Sequence, residues 1–200
     1  MELNDVQGGG IMSERNNVKE EIIKVTTELI EENNGNVDRI TARVIAAKAN
    51  IGLGLINYHF GSKEKLISIC VERIISEVIS NFDPTKEYST DRKRLIASAT
   101  HVFHFLFEHP AIAKISILSD LQNYTLKSNS VSTQLGFKNA LKKETDSSKK
   151  ANVSFILTAA MQVAFLGGGT MKDLLGYDFK KSTDRARYIE MLVTTILVDD

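Results

Sequence analysis

Thr41, Arg43, Lys48, Tyr58, His59 and Lys63 fall within "TARVIAAKANIGLGLINYHFGSKEKL", the 26 residues from Thr41 to Leu66. Hydroxyl, guanidinium, ammonium, phenol and imidazole groups at this density are donors to phosphate oxygens. Leu53 and Leu55 alternate with Gly52 and Gly54 on a segment too short for a core helix, so apolar side chains and bare backbone are offered outward together. No catalytic pattern accompanies them. The chain has no G-x-S-x-G elbow and no P-loop, and "GLGLIN" lacks the preceding strand and the spacing of a dinucleotide fingerprint. The chemistry on offer is binding, so we expect no enzyme activity, no catalytic residue, no metal and no cofactor.

These groups need short helices to hold them. Thr41 is a good N-cap, and Val44 and Ile45 supply the apolar residues of a short helix ending near Ala49. Asn50 sits at the turn, where asparagine tolerates positive φ. A helix of about two turns then runs from near Gly52 to Tyr58 or His59. Helix, tight turn and second helix make a helix-turn-helix, whose second member fits a DNA major groove about 12 Å wide. Charge is local. Residues 39–65 carry Arg39, Arg43, Lys48, Lys63 and Lys65 against Glu64, a net +4, while residues 13–38 sum to −4. The whole chain is neutral, so the positive charge is concentrated where phosphates need it.

Upstream, "NVKE" from Asn17 resembles a capping box, and Val18, Ile22, Val25 and Leu29 form the stripe of a first helix beginning near Asn17. "NNGN" at 33–36 stops it, with Gly35 suited to the left-handed cap. "MELNDVQGGGI" has no periodicity and reads as a flexible arm over residues 1–12.

"ITARVIAAKANIGLGLINYHFGSKEKL" resembles the DNA-binding signature of the TetR/AcrR family of transcriptional regulators. Thr41, Ala46, Ala49, Tyr58, His59, Phe60, Lys63 and Leu66 stand where that pattern implies them, and the specific match runs from Val18 to Leu66. Asn50 replaces the usual turn glycine, Gly52 stands where a capping Ser or Thr is common, and Asn57 occupies a position that is often Tyr. The resemblance implies that Thr41 and Lys63 meet phosphates and that Asn57, Tyr58 and His59 reach backbone oxygens, and the local positive charge adds Arg43 and Lys48 to the phosphate contacts. Leu53 and Leu55 would touch thymine methyls, Gly52 and Gly54 would permit close backbone approach, and Phe60 would plug the core. The recognition helix has no Arg or Gln for bidentate base reading.

The expected architecture is all-α. A helix-turn-helix DNA-binding domain over 13–62 precedes a larger helical regulatory and dimerisation domain over 63–200. "SKEKLISICVERIISEVISNF" makes a long fourth helix with Leu66, Ile69, Cys70, Ile74 and Val78 as its stripe, and "DPTKEYST" ends it. "RKRLIASATHVFHFLFE" is a fifth helix, after which Pro110 opens a sixth at a first helical position. A seventh spans about Val131 to Leu141, and "KKETDSSKK" is a solvated loop. "NVSFILTAAMQVAFL", residues 152–166, is apolar nearly all round and must be covered on both sides. "GGG" at 167–169 ends it, and a last amphipathic helix runs from about Asp184 to Val198. Val153, Leu157, Ala160 and Ala164, with Tyr188, Leu192, Thr195 and Ile196, are placed to pack on a second copy as a four-helix bundle, giving a homodimer for a palindromic operator.

His101, Phe103, His104 and Phe107 on the fifth helix, with Met161, Gln162 and Phe165 on the eighth, supply aromatic walls and a few polar groups for a small, largely apolar effector. Plain core packing explains each of them separately as well. His101, His104 and Glu108 share a helical face but show no recognised ligand motif. Two hundred residues, 42% hydrophobic and 25% charged, describe a globular protein able to bury a core. The single Cys70 fits a reducing compartment, and neither a run of 18 apolar residues nor a targeting pattern is present, so a cytoplasmic protein without membrane partners is expected. The competing reading is a helical ligand-binding or scaffolding protein without sequence-specific DNA binding.

Overall fold

The computed structural model describes the backbone of residues 8–80 and 87–197, with side chains from residue 16 to 76 and from 87 to 197. Every regular element among them is helical: α1 (Gly8–Glu32), a 3-10 turn (Val37–Arg39), α2 (Ala42–Lys48), α3 (Gly54–Phe60), α4 (Lys63–Ser80), α5 (Asp91–Glu108), α6 (Pro110–Gln122), α7 (Asn129–Ala140), α8 (Ser147–Gly167), α9 (Thr170–Leu175) and α10 (Ser182–Ile196). The chain forms two compact units that divide between Ile74 and Ile75, inside α4, rather than after Ser62.

In the first unit, the expected stripe of α1 is buried from Ile22 onward, with Val18 half-buried. Ile22, Val25 and Leu29 lie inside with Ile30, joined by Ile40, Ile45, Ile56, Phe60, Leu66 and Cys70 from the elements that follow. Thr26 is buried among them because its hydroxyl donates to Ile22 O at 2.7 Å on its own helix. The end of α1 is written locally. Asn34 takes φ 49°, and the Gly35 N–H reaches back to Ile30 O at 2.9 Å, satisfying a carbonyl the helix leaves open.

The beginning of α1 departs from expectation. It starts by Gly8, so Gly8–Met12 are helical and Asn17 lies inside the helix; residues 1–7 of the expected arm lie outside the described residues. Extending a formed helix gains one hydrogen bond per residue, so the capping-box sequence does not stop it. Glu20 is also taken by a stronger partner: both its oxygens receive the two Nη groups of Arg73 on α4. That ion pair holds the Glu20 carboxyl below its ordinary range.

In the second unit, α5 carries the centre. Leu95, Ala99 and Phe103 are buried on it, and it packs against α8 and α10, whose Leu157, Ile189 and Val193 are buried too. Its N-terminus is stitched to the turn after α7. Asp91 accepts from the Lys143 N–H at 2.6 Å, the Glu144 N–H at 3.1 Å and Arg94 Nη1 at 2.7 Å, while Arg94 also donates to Ala140 O at 3.0 Å. Burial alone would raise the Asp91 pKa, but these donors outweigh it and the carboxyl sits below its usual range. Pro110 opens α6 as expected.

Three expectations are corrected here. The "KKETDSSKK" loop ends early, because Asp146 caps α8 by accepting from the Ser148 and Lys149 N–H groups at 2.7 and 3.2 Å, and the helix starts at Ser147. The glycines do end α8, but a short α9 follows at once and is closed by Gly176 at φ 76°. The face of α8 is the third. Val153, Leu157, Met161 and Ala164 are buried within the chain, whereas Phe155 (55% exposed), Ile156, Val163 (61%) and Leu166 lie open along one side. An apolar helix is therefore covered on one side by its own chain. Val153, Leu157, Ala164 and Tyr188 are spent on that intrachain core and are not available to a second copy. Among the described helices, α8 has the length and composition of a membrane span, although a third of that window (33%) is already buried by the chain's own helices.

Candidate nucleic-acid interface

Thr41 begins the motif with φ −95° and ψ 156°, and its Oγ1 accepts from the Val44 N–H at 3.2 Å. It is thus the N-cap of α2, and its hydroxyl hydrogen remains for an acceptor outside the chain. Asn50 makes the turn at φ 52°, as expected for the residue standing where a glycine is usual. The following helix starts at Gly54, with Leu53 at the cap position and no side chain capping it. Gly61 closes α3 at φ 78°, a backbone region that disfavours any side chain, and Ser62 Oγ then caps α4 by accepting from the Lys65 N–H at 3.2 Å.

Two residues anchor α3. Ile56 and Phe60 are buried, four positions apart on one face, so Phe60 plugs the core. The rest of the helix faces out: Tyr58 is 67% exposed, Leu53 45%, with Gly52, Gly54 and Asn57 also exposed and Leu55 and His59 half-buried. The Tyr58 and His59 rings meet edge-on at 5.0 Å between centroids, which orients both from the same end of α3. A Cβ at Gly52 or Gly54 would meet nothing within 4 Å, and neither has positive φ, so nothing inside the unit requires glycine at either place.

The cations divide into two groups. Arg43 is exposed and has no carboxylate partner among the described residues, and the same holds for Arg39 and Lys65, which local reading counted in the charge but not in the site. Lys48 is committed to α1: its Nζ lies 2.6 Å from Glu32 Oε1 and 3.5 Å from Glu28 Oε2, and the bond to Glu32 raises its pKa. Lys63 is half-buried, donating to Val37 O at 3.4 Å with Glu64 at 3.7 Å. Acidic residues of α1 therefore answer part of the positive charge that sequence alone assigned to an outside partner.

The residues expected to bind an effector do not form one wall. Phe103 is fully buried, and Phe107 and Phe165 meet at 5.3 Å in an aromatic cluster that also holds Phe179 and Tyr188. Arg185, 7% exposed, lies over the Phe107 ring at 5.3 Å and donates to Phe179 O at 2.9 Å. Met161 is core; His101 and His104 are half-buried, and His104 Nε2 is buried without a hydrogen-bond partner. Gln162 lines a cavity of about 60 Å³ among α4, α5, α6, α7 and α8, which the other six residues do not line. Its other polar walls, Ser116, Asn129, Ser130 and Thr133, carried no sequence signal, because isolated Ser, Thr and Asn on helices look like ordinary surface residues. Among the described residues, no group of three His, Cys, Asp or Glu side chains is placed to hold a metal ion.

A short capped helix, an asparagine turn and an outward-facing second helix define a helix-turn-helix DNA-binding module attached to an all-helical second unit. Residues 22–68 match the family model described as "Bacterial regulatory proteins, tetR family". The whole chain is similar in fold to two solved structures from Rhodococcus sp. RHA1. One is a TetR-like transcriptional regulator at 16% identity and TM-score 0.61, covering 88% of this chain and 93% of that one. The other is a TetR transcriptional regulator at 15% identity and TM-score 0.62, covering 92% and 98%. No curated protein matches in sequence. Residues 22–68 thus match the DNA-binding domain of that family of bacterial regulators, and the chain shares the fold of the two regulators named above.

Proposed function

We propose that the protein is a ligand-responsive repressor that binds a palindromic operator as a homodimer and is released by a small effector held in its second unit. The observation that carries the DNA half is the exposed side of α3. Leu53, Asn57 and Tyr58 point away from the core that Ile56 and Phe60 fill, and Gly52 and Gly54 leave the backbone bare with no internal need for glycine. A major groove supplies thymine methyls for the leucines and phosphates for Tyr58, Thr41 and Arg43. Lys48 is already answered by Glu28 and Glu32 and Lys63 by Val37 O and Glu64, so the main phosphate contacts fall to Arg39, Arg43 and Lys65.

The second copy is supported by the open side of α8. Phe155, Ile156, Val163 and Leu166, with Met191 on α10, leave an apolar surface that a symmetric partner would cover. Two recognition helices about 34 Å apart would then read the two half-sites. An effector acts only by binding better to a conformation whose recognition helices are wrongly spaced, and α4, which runs through the boundary of the units, is the covalent route for that change. A cytoplasmic location fits this role.

The test is a gel-shift with DNA flanking the protein's own gene. Competitor-resistant retardation that Tyr58→Ala weakens, with the melting temperature unchanged, supports the reading. Equal retardation of every fragment, or none, overturns it in favour of a helical ligand-binding protein.

A further inference from the structure

The cavity of the second unit has one apolar wall, including Val102, Leu106 and Ile117, and one polar wall, including Asn129, Ser130 and Gln162. Asp120, buried beneath Ser130, takes both donors of that residue on one oxygen: the backbone N–H at 2.7 Å and the hydroxyl at 2.6 Å. The Ser130 hydroxyl proton is thereby committed, so its oxygen can only accept, and it does so from Gln162 Nε2 at 2.7 Å. The Gln162 amide is oriented by that chain, and its Oε1 is left without a partner among the described residues. Asn129 spends its amide N–H on Ser116 Oγ at 3.0 Å and likewise keeps its carbonyl oxygen free. The polar wall therefore presents spare carbonyl oxygens together with the second N–H of each amide and the Ser116 hydroxyl hydrogen, a set that pairs with a neutral head able both to donate and to accept.

No Lys, Arg or His lines the space, and the Asp120 carboxylate stands directly behind Ser130. An anion there would be desolvated beside a like charge with nothing to pair it. The size is equally restrictive: about 60 Å³, against roughly 150 Å³ for a cavity that holds benzene. We infer that the effector is a small uncharged molecule with a head that both donates and accepts hydrogen bonds and a compact apolar tail, of the class of short-chain carboxamides and alcohols, and that it sits in this cavity. This deepens the ligand-responsive reading above and rests on it. It also moves the effector site away from the aromatic cluster of Phe103, Phe107 and Phe165. One wall residue, Ile75, lies on α4, the helix that begins at Lys63, so an occupant touches the element that continues from the DNA-binding motif.

The test uses the full chain with methyl labels and three probes: propan-1-ol, propionamide and propionate. Saturable shifts at Val102 and Ile117 with the alcohol and the amide, and none with propionate, are expected. Gln162→Leu should weaken the amide about five- to tenfold, the worth of one neutral hydrogen bond, and Ala113→Val, which fills the space, should abolish it. Propionate binding as well as propionamide, shifts centred on the aromatic cluster, or unchanged affinity in folded Gln162→Leu overturns the inference. The amide–carboxylate comparison needs no variant, so it decides the class even where a substitution unfolds the unit. In a parallel gel-shift, propionamide should lower operator affinity in the wild-type chain but not in Ala113→Val. Operator binding without saturable shifts sinks the cavity while the regulator reading stands. Saturable shifts without any operator binding sink the regulator reading while the ligand class stands.

Discussion

Tyr58 and Arg43 are exposed residues with no structural task of their own in the first unit, which makes them clean probes of the interface. Arg43→Ala should reduce the dependence of binding on salt by about 0.9 log units per log of salt concentration for each half-site. Lys48→Ala should change that slope far less, because Glu28 and Glu32 already neutralise this ammonium. Operator titrations at several salt concentrations measure both; equal slopes for the two variants would contradict the assignment. Cys70 makes a different case. Burial pushes its thiol up from 9.0 to about 11, and its Sγ lies 3.6 Å from Ile23 O, to which the thiol hydrogen points. It stays protonated at neutral pH, so alkylation should be slow in the folded chain and fast once unfolded. A raised pKa favours the folded state while both states keep the proton. This stabilisation is complete below pH 9 and should drain away as pH rises from 9 through about 11, relative to Cys70→Ala, in denaturation curves.

Helix ends hold the elements in place, and two of them are open to test. Thr41→Ala removes the cap of α2 and should cost about 1 kcal/mol of stability, with Thr41→Ser restoring most of it. On the proposed role of the same hydroxyl at a phosphate, the alanine variant should lose DNA affinity beyond what its stability loss explains. Asp91 joins α5 to the turn after α7 through two backbone N–H groups and Arg94. Its pKa is lowered in the fold, so its contribution exists above the ordinary carboxylate range and is lost as pH falls through the lowered value. Asp91→Asn should therefore destabilise by about 2 kcal/mol at neutral pH, and the gap to wild type should close in acid. A gap that persists at low pH would mean that shape, not charge, makes the stitch.

Assembly is the property of the entire molecule that single helices cannot show. The open side of α8 places Phe155, Ile156, Val163 and Leu166 in line, an apolar stripe on a helix whose opposite side is core. Val163→Arg leaves that core untouched, since Val163 is 61% exposed, and should convert a dimer to a monomer in sedimentation with the melting temperature held at high protein concentration only in the wild type. The monomer should also lose operator affinity steeply, because each half-site alone contributes few phosphate contacts. A Val163→Arg protein that still sediments as a dimer would place the second copy on another surface.

Helical class, the helix-turn-helix and its punctuation were legible in the chain itself. Asn50 at the turn, Thr41 at the cap, Gly35 after α1, Pro110 at the head of α6 and the buried stripe Ile22–Val25–Leu29 all depend on interactions within about four residues, and a linear pattern records those. What lay beyond that reach needed the tertiary structure. Glu20 looks like half of a capping box until α4 brings Arg73 against it, and Lys48 looks free until α1 brings Glu28 and Glu32. Phe107, Phe165, Phe179 and Tyr188 come from three helices and a loop, and nothing in their spacing says that they close on one another rather than on a ligand. The cavity beside Gln162 was equally invisible, because its polar wall is assembled from α6, α7 and α8 by a chain of proton commitments that starts at a buried carboxylate. Sequence periodicity states that a side of α8 is apolar; only the packing of the other helices decides which side is left open, because a helix apolar nearly all round carries no stripe to mark it.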